Sequence, residues 1–299
     1  GHSYTGASTG RGMVIDVRPM SSISVGDGTA TIGTGAALVD VYGELASHGV
    51  SIPAGSCPSV GLGGLALGGG VGVVSRRYGL TSDRVVAATV VTADGETIVA
   101  YVFHQLDWYG ALRGGGGSFG VVTDLTLTTH AAGALSHAFY VWPWSAAAAV
   151  LTAWQSFAVA APRELWSACH LLAPDNKSVE PSVSIPAVHV GPSSALATHL
   201  AALLDLIPTA PTTSSLTTST YEGTMLLEAG CSDLTLAECH VRDETPGGTL
   251  QRGAFVAASD YFRHPIPSAG VDAMVQAVAR RAASRRLGTG GVSFDVLGG

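Results

Sequence analysis

The sequence has few charged residues, a single lysine and few cysteines. Only 12% of its 299 residues are charged, Lys177 is the only lysine, and the formal net charge is −7. A negative protein with so few cations does not attract nucleic acid or an anionic membrane surface, so neither is expected as a partner. The high hydrophobic content, 46%, beside so little charge also argues against a disordered chain.

Long hydrophobic runs are missing as well. No apolar run approaches the ~18–20 residues of a membrane span, and no signal peptide opens the sequence. We therefore expect a soluble protein, cytoplasmic or secreted, whose export signal was removed or never present. The length allows two subdomains with separate cores.

The cysteines and histidines do not suggest a metal centre. Four cysteines are too few and too spread for a disulfide scaffold, and no C-x-x-C pair indicates zinc. Only Cys231 and Cys239 lie near each other, and a disulfide between them would favour an oxidising compartment. Three histidines outside the motifs discussed below do not cluster at ligand spacing: His104, His170 and His240.

Hydrophobic periodicity divides the chain into two halves and predicts an α+β fold. Residues 1–130 are glycine-rich, with four strand-like stretches: GMVIDV, ATIGTG, VVAATVVTADGETIVA and FGVVTDLTL. A helix is predicted over Ala36–His48, closed by Gly49. Residues 131–299 are predicted to form an antiparallel sheet with helices on one side. Its predicted helices are Trp144–Ala161, Ala195–Leu206 and Val271–Arg286, its strands include Ser182–Val190 and Gly253–Phe262, and Ala210–Thr220 is predicted to be a surface loop.

Glycine is the residue that the first half has in excess. Three clusters occur within it, at residues 1–12, 55–72 and 114–120, and the second holds eight glycines with one cysteine. Glycines can serve ordinary tight turns, but they also let backbone N–H groups approach an anion closely. Three such loops favour a large dinucleotide. Neither the Rossmann fingerprint nor a Walker A sequence is present, because the spacing fits neither pattern.

Four motifs together resemble the berberine bridge enzyme-like branch of the vanillyl alcohol oxidase flavoproteins. They are GHSY, GSCPSVGLGGLALGGGVGVVSRRYGLTSD, VVTADGET and LRGGGGSFGVVTDLTL, and the match covers residues 1–128 in order. The later stretches LLEAGCSDLTLAECH and FVAASDYF resemble the substrate domain of actinobacterial members. The resemblance implies a PCMH-type FAD-binding subdomain over residues 1–130 and a substrate-binding subdomain over residues 131–299. It also implies further chain before GHSY and after SFDVLGG.

The resemblance implies bicovalent FAD and its binding residues. His2 matches the histidine bonded to the 8α-methyl group, and Cys57 matches the cysteine bonded to flavin carbon 6. The remaining cofactor-binding residues that it implies are Gly1, Ser3, Tyr4, Gly55, Ser56, Val60, Gly61, Gly63, Gly64, Gly68, Gly70, Gly72, Gly117, Gly120 and Val122. Read without the family, His2 is an ordinary turn histidine and Cys57 a small buried hydrophobe.

The implied reaction is oxidation of a small-molecule alcohol, with hydride transfer to the flavin and dioxygen as the final acceptor. A dehydrogenase with another acceptor and a degraded, non-catalytic relative are the alternatives. The catalytic base of the family lies in the segment that would follow SFDVLGG, so no catalytic residue is assigned. Tyr261 and Asp260, in a predicted strand, either face the flavin or cap a strand end. Four tryptophans either stack on a substrate or, more often in such a domain, belong to the core: Trp142, Trp144, Trp154 and Trp166.

Overall fold

The computed structural model describes residues 6, 10–176, 178–284 and 288–297. Its helices and strands follow one another along the chain, with short 3₁₀ turns at Ser82–Arg84 and Trp144–Ala146. The strands are β1 (Ile23–Val25), β2 (Thr29–Gly33), β3 (Val50–Ser51), β4 (Val85–Val91), β5 (Thr97–Tyr101), β6 (Val121–Thr128), β7 (His130–Ala131), β8 (Leu135–Pro143), β9 (Leu165–Ala173), β10 (Ser182–His189), β11 (Thr213–Ser219) and β12 (Gly290–Asp295). The helices are α1 (Leu38–Ser47), α2 (Leu62–Leu67), α3 (Ser75–Tyr78), α4 (Leu106–Ala111), α5 (Ala147–Ala160), α6 (Ser193–Leu204), α7 (Tyr221–Glu228) and α8 (Ser268–Ala283).

The chain folds into two compact units. Unit 1 comprises Gly1–Gly133 and Thr220–Ala258, and unit 2 comprises Ala134–Ser219 and Ser259–Gly299. Residues 220–258, which the sequence pattern grouped with the second half, therefore pack in the first unit. The assignment of a cofactor role to one unit and a substrate role to the other stays a prediction.

Unit 1 is built on a five-stranded antiparallel sheet. The strand order is β1-β2-β6-β4-β5, and the small pair β3-β7 lies outside it. The strands form because their apolar and β-branched residues alternate; Ile32, Leu125 and Leu127 are fully buried. Helix α1 buries Leu38, Val41, Tyr42 and Leu45, and it is followed by Gly49 with φ 71°, as predicted.

Unit 2 is a second five-stranded antiparallel sheet, in the order β11-β8-β10-β9-β12. Helices α5, α6 and α8 pack on one of its faces. On that face Trp154 of α5 donates a hydrogen bond from Nε1 to Ser167 Oγ of β9, at 3.0 Å. The prediction of an antiparallel sheet with helices on one side is confirmed, and with it the α+β class.

Three local predictions were wrong. Residues 213–219 form edge strand β11 instead of a surface loop. The threonines of TTSSLTTS are β-branched, and the strand pairs with residues 135–141 of β8. Residues 253–262 were predicted to form a strand but lie outside regular structure and are exposed. GMVIDV is likewise irregular: its end turns at Val17, whose carbonyl accepts from Met20 N, instead of joining a sheet.

No helix in the described parts of the chain is long and apolar enough to cross a membrane.

Candidate functional site

Two of the three glycine clusters meet in unit 1. Gly116 N donates to the carbonyl of Leu67, the last residue of α2, at 2.8 Å. Gly114 lies beside Gly69, since a Cβ built on Gly114 would be 3.7 Å from the Gly69 Cα. The loop at 114–120 therefore lies against the end of α2, and together they form one glycine-rich surface.

Some of the predicted site glycines are required by the protein's own packing. A Cβ on Gly63 would overlap the Thr34 side chain, one on Gly70 the Thr81 side chain, and one on Gly72 the Ala54 carbonyl. A Cβ on Gly120 would press on the Val91 carbonyl at 2.6 Å. These four glycines allow close approach of protein segments, so their presence does not require a ligand.

Other glycines of this surface have no such explanation. A Cβ on Gly64 would meet nothing within 4 Å, and one on Gly117 only Leu67 Cδ1 at 4.0 Å. Gly64 is exposed in the middle of α2, where glycine costs roughly 0.5–1 kcal/mol relative to alanine. Gly116 also faces open space, although its φ of 92° favours glycine in any case. These positions form a cradle that side chains would fill, which fits a flat or extended ligand lying directly on the backbone.

The remaining glycines and Val122 support the loops around this cradle. Cβ atoms on Gly55, Gly61 and Gly68 would make contacts of 3.4 to 3.7 Å. Val122 is buried in β6, and its carbonyl accepts from Thr34 Oγ1 at 2.6 Å. Thr34 also faces Gly63, so this threonine links β6 to the start of α2. Sequence reasoning did not single out Thr34, because no spacing distinguishes it from other strand threonines.

Cys57 lies in the loop that joins β3 to α2. Its thiol is free, and the residue is exposed. The loop that follows it is anchored on α1: the Pro58 carbonyl accepts from Val39 N at 3.1 Å, and the Val60 carbonyl accepts from Leu38 N at 3.0 Å. Desolvation by the surrounding protein raises the pKa of the Cys57 thiol above its ordinary value. The exposed, unpaired sulfur excludes the interpretation of Cys57 as a buried hydrophobe.

The N-terminal part of the predicted site lies outside the described residues. This applies to Gly1, His2, Ser3 and Tyr4, whose roles stay predictions. Of the first cluster, Gly10 and Gly12 are described and exposed, and a Cβ on either would meet at most one backbone atom, at 4.0 Å.

Two cysteines in unit 1 confirm the pairing that their spacing allowed. Cys231 and Cys239 form a disulfide with a Cα–Cα distance of 5.8 Å. Both are fully buried and pack against Val39 of α1. Next to Cys239, His240 Nε2 lies 2.9 Å from Asp40 Oδ1, so this segment is held on α1 by both apolar and polar contacts.

The second face of the unit 2 sheet carries polar and aromatic residues. Strand register places His170 opposite Ser184 and Ser293, on the face that α5, α6 and α8 do not cover. Burial is the main cause that lowers the pKa of His170 and raises that of Asp295, and the charge of each group opposes the shift of the other. His137 on the same face lies 2.9 Å from Thr217 Oγ1.

The tryptophans divide between core and this second face. Trp142 and Trp154 are buried on the helix-covered face, which agrees with the core interpretation. Trp166 is also buried but lies on the other face, since its neighbour Ser167 points towards α5. Tyr261 and Asp260 are exposed in an irregular segment, so the interpretation that placed them in a strand was wrong.

Within residues 10–176, 178–284 and 288–297, no group of three or more His, Cys, Asp or Glu side chains could hold a metal ion.

Comparison with known proteins identifies the glycine-rich half. Residues 1–101 match the family model described as an FAD binding domain. The chain is 42% identical over 138 residues to the chitooligosaccharide oxidase of Gibberella zeae, a match that covers 44% of this chain and 28% of that protein. Other curated relatives are named FAD-linked oxidoreductases, so the family is enzymatic.

Solved structures extend the likeness over both units. The structure of Physcomitrella patens BBE-like 1 matches with a TM-score of 0.79 and 26% identity, and covers 94% of this chain and 58% of that one. The Acremonium strictum glucooligosaccharide oxidase, whose description reports a novel flavinylation, matches with a TM-score of 0.67 and 30% identity, over 74% and 46% of the two chains. The matches with these relatives thus cover between 28% and 58% of their length. It contains an FAD binding domain, and the predicted resemblance to the berberine bridge enzyme-like FAD-linked oxidoreductases is confirmed.

Proposed function

We propose that the protein is an FAD-dependent oxidase that acts on an alcohol, with a sugar or oligosaccharide hydroxyl as the favoured substrate class. The observation that carries the proposal is the cradle formed by Gly64, Gly116 and Gly117, which no protein side chain fills. Gly64 lies within the residues that match an FAD binding domain, and Gly116 is hydrogen-bonded to Leu67 of the same stretch. FAD, when bound, supplies a hydride acceptor that dioxygen can reoxidise with formation of hydrogen peroxide. Two of the relatives are named as oxidases of oligosaccharides, which supports the substrate class.

In this proposal, the first unit holds the cofactor and the second contributes to substrate binding. Cys57 and His2 would each form one covalent bond to the flavin. Cys57 suits this role because its thiol is free and the residue is exposed, in a loop whose following part is anchored on α1. The second face of the unit 2 sheet, with His137 and His170, offers hydrogen-bond groups suited to a polyol.

The disulfide adds a proposal on location. A buried Cys231–Cys239 bond is typical of proteins that fold in an oxidising compartment, so we propose that the protein is secreted. Thiol titration of the denatured, unreduced protein would then detect Cys169 alone in FAD-loaded chains, and Cys57 and Cys169 in chains without FAD. Detection of Cys231 and Cys239 as free thiols would contradict this location.

The mass of the intact denatured protein tests the cofactor proposal. The expected result is the chain mass plus one FAD, retained in His2→Ala and in Cys57→Ala but lost when both are changed, because each bond alone suffices to keep the flavin. Cys169→Ala is the matched control, since this thiol is free and buried in β9 and has no role in the proposal, so its change should leave both bonds intact. An apoprotein mass together with a colourless preparation would overturn the proposal.

Oxidase activity needs a second measurement. The reduced flavoprotein is mixed with air-saturated buffer or with an artificial electron acceptor, after reduction by a panel of oligosaccharides. Fast reoxidation in air with one hydrogen peroxide per flavin supports an oxidase. Reoxidation by the artificial acceptor alone would indicate a dehydrogenase instead.

A further inference from the structure

The chain that leads to Cys57 is held by hydroxyl groups from three distant elements. Tyr221 Oη donates to the Ile52 carbonyl at 3.1 Å, Thr81 Oγ1 to the Pro53 carbonyl at 2.8 Å, and Tyr42 Oη to the Gly55 carbonyl at 2.8 Å. Residues 52–56 form no strand, so these side chains take the place of a sheet partner for their carbonyls.

The environment of Tyr42 and Tyr221 favours these hydrogen bonds. Both are buried, and their rings lie 6.0 Å apart, one on α1 and the other at the start of α7. Burial raises the pKa of both phenols, which keeps them neutral and able to donate. Thr220 caps α7 by accepting from Gly223 N at 3.0 Å, and the disulfide that follows α7 packs on Val39. Tyr221 is therefore fixed by contacts that involve neither Cys57 nor the cradle.

The loop that carries Cys57 borders a small cavity. A small cavity lies between α1, α7 and the loop, and Tyr42, Ser56, Pro58, Met225 and Leu226 line it. Because this space adjoins Ser56 and Pro58, the two neighbours of Cys57, loss of the hydroxyl at Gly55 would allow the loop to shift into it.

We propose that Tyr42 and Tyr221 are positioning residues for Cys57, which hold its sulfur in the place required for bonding to the flavin. The proposal rests on the proposed function only for the flavin bond; the fixed position of the thiol is a property of the protein itself. In the net reaction, the thiol and the C6–H group of the flavin lose one hydrogen atom each, a carbon–sulfur bond forms, and dioxygen is reduced to hydrogen peroxide.

The first test measures the thiol without FAD. Alkylation of the full chain by iodoacetamide is followed by intact mass between pH 7 and 9.5, with Cys57→Ala as the blank, since Cys169 is buried and Cys231 and Cys239 are bonded. In Tyr42→Phe and Tyr221→Phe the loosened loop should reduce the desolvation that the surrounding protein imposes on the sulfur. The alkylation profile should move to lower pH, with a rate at pH 8 about threefold higher than in the unchanged protein, which is a shift of about half a pH unit.

Tyr109→Phe is the matched control, because it removes a similar bond, from Tyr109 Oη to the Val85 carbonyl at 2.9 Å, elsewhere in unit 1. Its alkylation profile should match that of the unchanged protein, even if its melting temperature falls. Profiles of Tyr42→Phe and Tyr221→Phe that also match the unchanged protein would overturn the positioning proposal.

The second test uses the FAD-loaded protein and peptide mapping. The fraction of chains with the Cys57 bond should fall at least about threefold in both tyrosine variants, while the His2 bond is retained. An equal fraction in all variants would overturn the role in flavin bonding. If the unchanged protein itself lacks the Cys57 bond, the proposed double attachment fails, whereas the alkylation profiles still decide whether the tyrosines position the thiol.

Discussion

At the residue scale, substitution of Gly64 should affect folding stability and ligand binding in opposite directions. Its substitution by alanine adds a methyl group in the interior of a helix, where no atom lies within 4 Å apart from the backbone of that helix and the residues next to Gly64 in the chain. We expect Gly64→Ala to raise the free energy of unfolding of the apoprotein by roughly 0.5–1 kcal/mol, because alanine is the better helix former. The same methyl group occupies the cradle, so FAD affinity should fall about tenfold, or ~1.4 kcal/mol. Urea unfolding and flavin titration measure the two effects.

Gly72→Ala is the control for this prediction. Its Cβ would overlap the Ala54 carbonyl, so the apoprotein should lose about 1–3 kcal/mol before any ligand is added. Equal destabilisation by the two substitutions would contradict the distinction between them. Sequence alone could not make this distinction. Both glycines belong to one motif, and the sequence does not show whether a protein segment or a ligand occupies the space that a Cβ would fill.

His130 gives a prediction on pH. Its ring stacks on the ring of Tyr78, with 3.7 Å between the ring centroids, and its Nδ1 lies 3.0 Å from the Ala131 carbonyl oxygen. Its buried Nε2 has no hydrogen-bond partner in the described part of the chain. Burial is the main cause that lowers its pKa, with a smaller contribution from the charge of Arg84. The unfolded chain therefore takes up a proton near pH 6.5 that the folded state resists, and stability is lost as the pH falls from 7 towards 5.

We expect His130→Phe to keep the stacking and remove this loss. The free energy of unfolding of the variant should fall less between pH 7 and 5 than that of the unchanged protein, by at most about 1.4 kcal/mol per pH unit. Urea unfolding at several pH values measures the difference. The burial-shifted His170 and His189 remain in the variant, so some pH dependence should persist. Parallel curves for the two proteins would exclude a contribution from His130.

At the scale of elements, the sequence predicted those whose own pattern sets their structure. Helix α1 has apolar residues at helical spacing, β4 is a run of mostly apolar residues, and β6 and β10 contain the alternation that is typical of strands. The prediction for residues 213–219 was wrong because their structure depends on the segment with which they pair. Edge strand β11 is polar and nearly all exposed, so only its pairing with β8 reveals it, and no pattern in residues 213–219 specifies that partner.

The start of α8 gives a test at the same scale. The Gln155 amide of α5 donates from Nε2 to the Ile266 carbonyl at 3.1 Å and accepts from Ile266 N at 2.8 Å, so one side chain satisfies both backbone groups of a buried residue. Gln155→Met leaves both groups unpaired, and we expect the free energy of unfolding to fall by about 1–3 kcal/mol. Gln155→Glu keeps only the acceptor and should give an intermediate loss. Urea unfolding measures the free energy of unfolding of each protein. Equal values for the two variants and the unchanged protein would show that the Gln155 side chain does not stabilise the start of α8.

At the scale of the whole molecule, long-range contacts determine which segments form each unit. Residues 220–258 pack in unit 1 through contacts such as that of Tyr221 with Ile52, which lie 169 positions apart. The glycine motifs indicated the cofactor surface, and resemblance indicated the fold. Neither could show that Tyr42 and Tyr221 bind the chain that leads to Cys57, because the two tyrosines are far apart in the sequence and belong to no common motif.

The chain passes from unit 1 to unit 2 within an exposed segment, which limited proteolysis can detect. Residues 251–265 are all exposed and lie outside regular structure, and the segment includes Phe255, Tyr261 and Phe262. Chymotrypsin requires an extended chain with an accessible aromatic residue. We therefore expect the first cuts after these three residues, as complementary fragments in a mass spectrum of the native protein.

Phe103 provides the internal comparison, since it is 90% exposed yet lies in a turn closed by two backbone hydrogen bonds between Tyr101 and His104. If side-chain exposure alone determined the rate of cleavage, Phe103 would be cut first. The turn around Phe103 must open before the protease can bind, and the free energy needed for this opening should slow cleavage there. Substitution of the three aromatic residues of the segment by serine should then slow the first cleavage without a new early cut at Phe103. Early cleavage at Phe103 in the unchanged protein would show that side-chain exposure, and not the backbone hydrogen bonding that separates these two sites, decides where this chain opens.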